Sequence, residues 1–280
     1  MRLADHDGRA TLLAEGGGVD VATASDGRFG PDIQAVYDDW AAFASFADGL
    51  ASGSPAVVDV DESRFGNPVP RPRQVFAIGL NYRAHATESG VEVPTTPATF
   101  TKFPACLTGP GAEVALPSGN VDWEVELVAV IGTRADRVAE PDGWSHVAGL
   151  TIGQDLSERV VQMAAGGQFS LGKSYRGFGP MGPVLVTPDE LADPDDLALG
   201  CSVDGEVVQD ARTSDMVFSV PRLVAELSAV VPLLPGDVVF TGTPEGVGVR
   251  RSPPRFLQPG SVLETWIEGL GRLRTTFVAG

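Results

Sequence analysis

The sequence predicts a mixed α+β fold rich in strands, with a small α+β unit over residues 1–70 and a larger one over 71–280. Three observations predict it. Short apolar runs outnumber helical periods and do not alternate with them, which argues against a doubly wound sheet or a (β/α)8 barrel. Glycine (34) and proline (22) are frequent among the 280 residues, as many turns between short strands require. Neither a GxGxxG fingerprint nor an internal repeat is present. A chain of this length can bury a large core.

Taken in order, RLADHDGRATLLAE (2–15) reads as two strands around an Asp7-Gly8 turn. From Pro31, the residues Ile33, Val36, Tyr37, Trp40, Phe43, Ala44, Ala47 and Leu50 recur at steps of three and four, which predicts one helix with proline at its first position. RFGNPVPRPRQ (64–74), with its prolines, reads as a linker. VFAIG (75–79) is a short strand, and NYRAHATESG (81–90) one or two helical turns with Asn81 as cap and Gly90 as stop. WEVELVAVIG (123–132) is a strand apolar on both faces, and VAGLTIG (147–153) is another apolar run. Ser157 is placed to cap a helix over ERVVQMAA (158–165). CSVDGEVVQ (201–209) is a hairpin turning at Asp204-Gly205. PRLVAELSAVV (221–231) is a helix opened by Ser219 and Pro221, and VVFTG (238–242) and SVLETWIEGLGRLRTTFV (261–278) supply the last strands.

Twenty Lys and Arg against thirty-seven Asp and Glu give a net charge of −17. That balance repels nucleic-acid phosphates and anionic membranes, so neither is an expected partner. A small anionic substrate would need the few cations concentrated at its site, or a metal to supply the charge. Cys106 and Cys201 form no CxxC, so neither a disulfide framework nor a zinc site is indicated. The opening MRLADHDGRA has no apolar core of a signal peptide, and no window approaches a membrane span. A reduced cytoplasmic protein is expected.

The chemistry-bearing residues start with Glu124 and Glu126. Two apart on a strand, they share a face with Val128 and Val130, while Val125, Leu127, Ala129 and Ile131 take the other. Buried like charges at that spacing require neutralisation, which a hard divalent cation provides; the alternative is a solvated pair at a sheet edge. Asp155, just past an apolar run, reads either as a third metal ligand or as a helix cap. His85 and Glu88 are i,i+3 on a short helix, which suits a carboxylate-oriented base as well as a surface pair. Lys173 lies in the Gly/Pro-rich SLGKSYRGFGPMGP, where an ammonium can face a carboxylate or an enolate. Arg159 and Gln162 are i,i+3, and Thr243 stands in a TGTP turn after a strand.

Together, NYRAHATE, VDWEVELVAVIG, QDLSERVVQ, GKSYRGFGPMGP, TSDMVFSVP and GDVVFTGTPEGVG resemble, in order, the blocks of the fumarylacetoacetate hydrolase family, over about residues 70–280. The likeness is to its acylpyruvase and 2-hydroxyhepta-2,4-diene-1,7-dioate isomerase-like branch. The resemblance implies a β-roll of mixed sheets with a variable N-terminal domain, and a homodimer. It implies Mg²⁺, with Mn²⁺ or Ca²⁺ as alternatives, on Glu124, Glu126 and Asp155. It further implies a water-activating dyad of His85 and Glu88, catalytic help from Lys173, and a substrate-binding set of Arg159, Gln162, Thr243, Tyr82 and Lys102. The implied activity is hydrolysis of a C–C bond in an acylpyruvate-type, 2,4-diketo carboxylate, with the enolate stabilised by the metal and Lys173. Tautomerisation or decarboxylation of a hydroxymuconate-type or oxaloacetate-like substrate is the alternative, and a non-catalytic ligand-binding relative a further one. The chain departs from many members in having Val160 where an acid follows the arginine, which puts the pairing of Arg159 in question. Arg176, where relatives vary, is expected to bear on substrate choice.

Overall fold

The computed structural model describes residues 1–14, 16–50, 57–164 and 166–280. Strands dominate, as the apolar runs predict. One sheet has the spatial order Val57–Val58, Gly17–Asp20, Arg9–Ala14, Arg2–His6, Gly179–Val186, Val147–Gln154, Val125–Ile131, Val238–Phe240, Val75–Ile78 and Thr99–Thr101. Leu107–Thr108 adds to Gly179–Val186 in parallel. A five-stranded sheet runs Glu206–Arg212, Ala198–Val203, Val262–Ile267, Gly271–Ala279, Glu113–Leu116, and a short pair joins Val121–Asp122 to Ser157–Glu158. Pairing of Arg2–His6 with Gly179–Val186 carries the large sheet across the 70/71 boundary. No helix among the described residues is long and apolar enough to cross a membrane.

The strand Val125–Ile131 is buried along its whole length. Its two faces enter different cores: Val125, Leu127, Ala129 and Ile131 pack in one, Val128 and Val130 in the other. The sheet is therefore covered on both sides, and the apolar run on both faces is the sequence trace of that burial. Antiparallel pairing sets Glu126 opposite Gly153. A Cβ on Gly153 would come within 2.5 Å of the Phe240 ring and 2.6 Å of Val128, so only glycine lets these strands close beside the acid.

Turn chemistry fixes several joints as expected. Asp7 and Gly8 (φ 55° and 74°), and Asp204 and Gly205 (φ 53° and 84°), turn two hairpins in the left-handed region. Ser219 caps Val220–Ser228 by accepting from the Arg222 amide, and Gly90 (φ 69°) stops Arg83–Ser89. Three expectations change. The helix after Pro31 is a 3₁₀ segment, Ile33–Asp39, leading into the α-helix Trp40–Leu50, and Asp32 rather than proline opens it by accepting from the Gln34 amide. Asn81 is not the cap of Arg83–Ser89; Tyr82 holds that position without a side-chain bond, because the Asn81 amide is spent on Phe218 and Thr241. Ser157 lies in a strand, and the Glu158 carboxylate accepts from the Val160 and Val161 amides at the start of Arg159–Ala164. Glu15 and Ala165, the last residues of the predicted stretches 2–15 and 158–165, lie outside the described residues.

Candidate active site and acid cluster

The central strands deliver three buried acids to one place. Carboxylate oxygens of Glu124, Glu126 and Asp155 lie within 4.8 Å of one another. Glu124 precedes its strand but stays in the ladder: its carbonyl accepts from the Asp155 amide at 2.9 Å, and its own amide donates to Gln154 Oε1 at 2.9 Å. The two-residue period is thereby kept, and Glu124 falls on the side of Glu126. Asp155 follows the last residue of Val147–Gln154.

Cations meet these acids directly. Lys173 Nζ bridges Glu124 Oε2 at 2.6 Å and Asp155 Oδ2 at 2.7 Å. Arg159 reaches Glu124 Oε1 at 2.7 Å, Asp122 Oδ2 at 2.6 Å and Gln162 Oε1 at 3.0 Å. Lys102, fully buried, donates to Asp155 Oδ1 at 2.6 Å, to the Phe178 carbonyl at 3.2 Å and to the Lys173 carbonyl. Asp122 fills the place that the missing acid after Arg159 left in question. This wholly buried carboxylate accepts from Arg159 and from the amides of Gly248 (2.7 Å) and Val249 (2.9 Å), while Val160 points into solvent.

The same strand makes its two glutamates differ. Burial would raise the Glu124 carboxyl, but Lys173 and Arg159 bring it down to about 2. Burial raises Glu126 well above the ordinary glutamate value, and Asp155 and Glu124 add to it. No cation pairs with Glu126 among the described residues; its Oε2 accepts from the Gly242 amide at 2.7 Å. Gly242 presents that amide with φ 99°, and a Cβ there would meet Asn81 at 2.7 Å. Burial also disfavours the Lys173 ammonium, yet Asp155 and Glu124 hold it above its ordinary value. Three oxygen donors with one carboxylate lacking a counter-charge fit a hard divalent cation.

The dyad forms on Arg83–Ser89. His85 Nδ1 lies 3.0 Å from Glu88 Oε2, and Glu88 Oε1 accepts from the Gly246 amide at 3.0 Å. Burial works against the charged Glu88, but His85 and the Gly246 amide hold its carboxyl below the ordinary range. Asn81 sets the helix in place, its Nδ2 donating to the Thr241 carbonyl at 2.6 Å. Gln209 supports the same loop from the far hairpin: Nε2 donates to Thr243 Oγ1 at 2.8 Å and to the Pro244 carbonyl at 2.9 Å, and Oε1 accepts from Val125 at 3.0 Å.

A cavity of about 580 Å³ is lined by His85, Glu124, Arg159, Gln162 and Lys173, with Arg250 among its other wall residues. Tyr82, Lys102 and Thr243, expected to meet substrate, do not line it. Each is buried: Lys102 is tied to Asp155, Thr243 receives Gln209, and burial pushes the unpaired Tyr82 phenol up. Arg176 is exposed and does not line the cavity either. Asp122, Gln209 and Arg250 escaped the sequence reading. The first two act through partners tens of residues away, and Arg250 looks like any member of a basic run.

Residues 74–278 match the family model for the fumarylacetoacetate hydrolase C-terminal domain. The human mitochondrial oxaloacetate tautomerase FAHD2A is 43% identical over 259 residues, covering 91% of this chain and 82% of that one. A Mycobacterium smegmatis crystal structure described as an HpcE protein is 52% identical, with a TM-score of 0.94 and 100% of both chains covered. Maleylpyruvate hydrolase from Sphingobium sp. SYK-6, solved with manganese(II) and pyruvate, is 29% identical, with a TM-score of 0.81 over 100% of both chains. The chain belongs to the fumarylacetoacetate hydrolase family of enzymes.

Proposed function

We propose that the chain is a divalent-metal-dependent hydrolase that cleaves the C–C bond of an acylpyruvate-type 2,4-diketo acid. The observation that carries this reading is His85, held by Glu88 and standing on the cavity wall that also presents Glu124 and Lys173. Glu124, Glu126 and Asp155 would hold the cation, with Mg²⁺ or Mn²⁺ the candidates; the manganese-bound relative supports that class of ion. When bound, the cation supplies Lewis-acid polarisation of the 2-oxo-carboxylate end.

The chain's own groups do the rest. Glu88 holds Nδ1 of His85 and leaves Nε2 to take a proton from water. The resulting hydroxide attacks the remote ketone. The bond between that carbonyl carbon and the methylene breaks, and its electron pair passes to the pyruvate part as an enolate facing the Lys173 ammonium. The proton held by His85 returns to the enolate carbon, which yields a carboxylic acid and pyruvate. Arg159 and Gln162 hold the substrate from the cavity wall.

A second reading, keto–enol exchange of oxaloacetate, is favoured by the 43% identity to a tautomerase. The two part on one screen. With Mg²⁺ or Mn²⁺ added, release of pyruvate from acylpyruvates supports the hydrolase. Accelerated loss of enol absorbance from oxaloacetate with no acylpyruvate cleavage would replace it with the tautomerase. A homodimer and a cytoplasmic setting belong to the same proposal; the buried free thiols Cys106 and Cys201 agree with a reducing compartment.

A further inference from the structure

We infer that Gln209 is a positioning residue: its side-chain amide fixes the loop that carries the Gly246 amide against the strand of the acid cluster, and so sets where Glu88 holds His85. This rests on the proposal that His85 and Glu88 activate water.

The loop of residues 241–247 serves both halves of the site. Near one end the Gly242 amide donates to Glu126 Oε2 at 2.7 Å, and near the other the Gly246 amide donates to Glu88 Oε1 at 3.0 Å. Thr241 is anchored to the Leu127 carbonyl by its amide at 3.0 Å and its hydroxyl at 2.9 Å. Thr243, Pro244 and Glu245, between the two donors, belong to no helix or strand. Gln209 Nε2 gathers them, donating to Thr243 Oγ1 at 2.8 Å and to the carbonyls of Pro244 at 2.9 Å and Glu245 at 3.4 Å. Its Oε1 accepts at 3.0 Å from the amide of Val125, the residue between Glu124 and Glu126.

The position demands this side chain. It must donate and accept at once: a carboxylate has no hydrogen for two carbonyls, and an ammonium has no lone pair for the Val125 amide. Gln209 is buried on Glu206–Arg212 of the five-stranded sheet, so one side chain ties the small sheet to the large. The loop also rests on the backbone of that strand, since a Cβ on Gly246 (φ 97°) would come within 2.2 Å of the Val208 carbonyl oxygen. What else holds the two ends differs. The ligand strand is laddered to Val147–Gln154 from Val125 to Ile131, so it keeps its register without one side-chain bond. Glu88 has fewer supports. Burial raises its carboxyl, while His85, the Gly246 amide and the charge of Arg250, in the 3₁₀ turn that follows the loop, bring it down. A shifted loop withdraws the Gly246 amide from Glu88, and the loss falls on the dyad rather than on the metal ligands.

The test is steady-state cleavage of acetylpyruvate with Mn²⁺ saturating, beside Mn²⁺ calorimetry, on Gln209→Met, Glu88→Ala and the double variant. Gln209→Met keeps the length of the side chain and loses the amide. It should lower kcat about 10–100-fold, the usual loss when a group that holds a functional one is removed. KM and Mn²⁺ affinity should stay near the parent's. In the Glu88→Ala background the same substitution should change kcat little, because residues that act as one unit are not additive. Thr243→Val, which cuts only the loop end of the tie, should repeat the pattern at smaller size, and it decides the matter if Gln209→Met does not fold. Equal falls in kcat and Mn²⁺ affinity, or a loss that multiplies with that of Glu88→Ala, would make Gln209 a general brace of the fold and overturn the assignment. Parent-like kcat in Gln209→Met would overturn it as well. Near-parent kcat in Glu88→Ala would remove the dyad reading itself, and a parent that cleaves no acetylpyruvate would remove the hydrolase reading; the assignment falls with either.

Discussion

Glu124 and His85 line one cavity from elements of opposite character. Glu124 extends a strand buried on both faces at the centre of the large sheet, where Leu127 and Val128 pack into separate cores. His85 rides on a seven-residue helix, held by its cap neighbour Asn81 and by the Gly246 amide on Glu88. A helix that short contributes little stability of its own. The strand therefore suits a site that must hold several like charges at fixed spacing, and the short helix suits a base that needs only one partner. Ion binding and proton transfer should consequently fail separately.

The largest effect tests that separation at the dyad. His85→Ala should lower kcat for an acylpyruvate by about 10²–10⁴-fold with the metal saturating, the usual worth of a general base. Mn²⁺ affinity measured by calorimetry should stay near the parent's. Glu88→Ala should lose nearly as much, and the double variant little more, because residues that act as a unit are not additive. Near-parent turnover in His85→Ala would remove the base; multiplicative losses would mean that the two groups work independently.

On the strand, the expected loss is stability. Leu127 is fully buried on the face opposite Glu126, so Leu127→Ala should cost about 2–5 kcal/mol in denaturant unfolding. Thr87→Ala, at an exposed position on the short helix, should fall within about 0.5 kcal/mol of the parent. Comparable losses at both positions would contradict the division. Glu124→Gln comes next. Even the outer partners of a metal ligand are worth about 10–100-fold in affinity, so removal of a ligand charge should weaken Mn²⁺ by about 100-fold or more. Unchanged Mn²⁺ affinity would exclude Glu124 from the metal site.

The contrast also explains what the sequence could disclose. Strand period and burial on both faces brought Glu124 and Glu126 together on paper, and i,i+3 spacing did the same for His85 and Glu88. These are local relations. Asp122 serves Arg159 across 37 positions and Gly248 across 126, and Gln209 serves Val125 across 84; no local pattern encodes such pairings. Lys102, which the family resemblance sets among the substrate-binding residues, is a buried tie between Asp155 and two carbonyls. The helix after Pro31 shows the milder failure: its apolar periodicity was legible, but steps of three and four fit a 3₁₀ turn followed by an α-helix as well as one helix.

The smallest effect concerns pH and sets the two glutamates of the strand against each other. An acid that binds its proton more tightly folded than unfolded stabilises the fold below its unfolded value, and that stabilisation is lost as pH rises through the raised folded value. Glu126 is such an acid, because burial and then Asp155 and Glu124 raise it well above 4.5. Glu124 has the opposite sign: held down to about 2 by Lys173 and Arg159 against its burial, it contributes stability above 4.5 that disappears as pH falls toward 2. Above pH 5 the Glu124 contribution is constant, so a change in slope there between the parent and Glu126→Gln reports Glu126. Metal-free parent, kept in chelator, should lose unfolding stability as pH climbs from 5 into the alkaline range, and Glu126→Gln should lose less over the same window. Saturating Mn²⁺ should flatten the parent's decline, since a cation supplies the charge that Glu126 lacks. Denaturant midpoints taken at intervals from pH 5 to 9 measure all three curves. Superimposable profiles for chelated parent and variant would show that Glu126 carries no such burden, and the strand would then hold its acids without needing a cation to balance them.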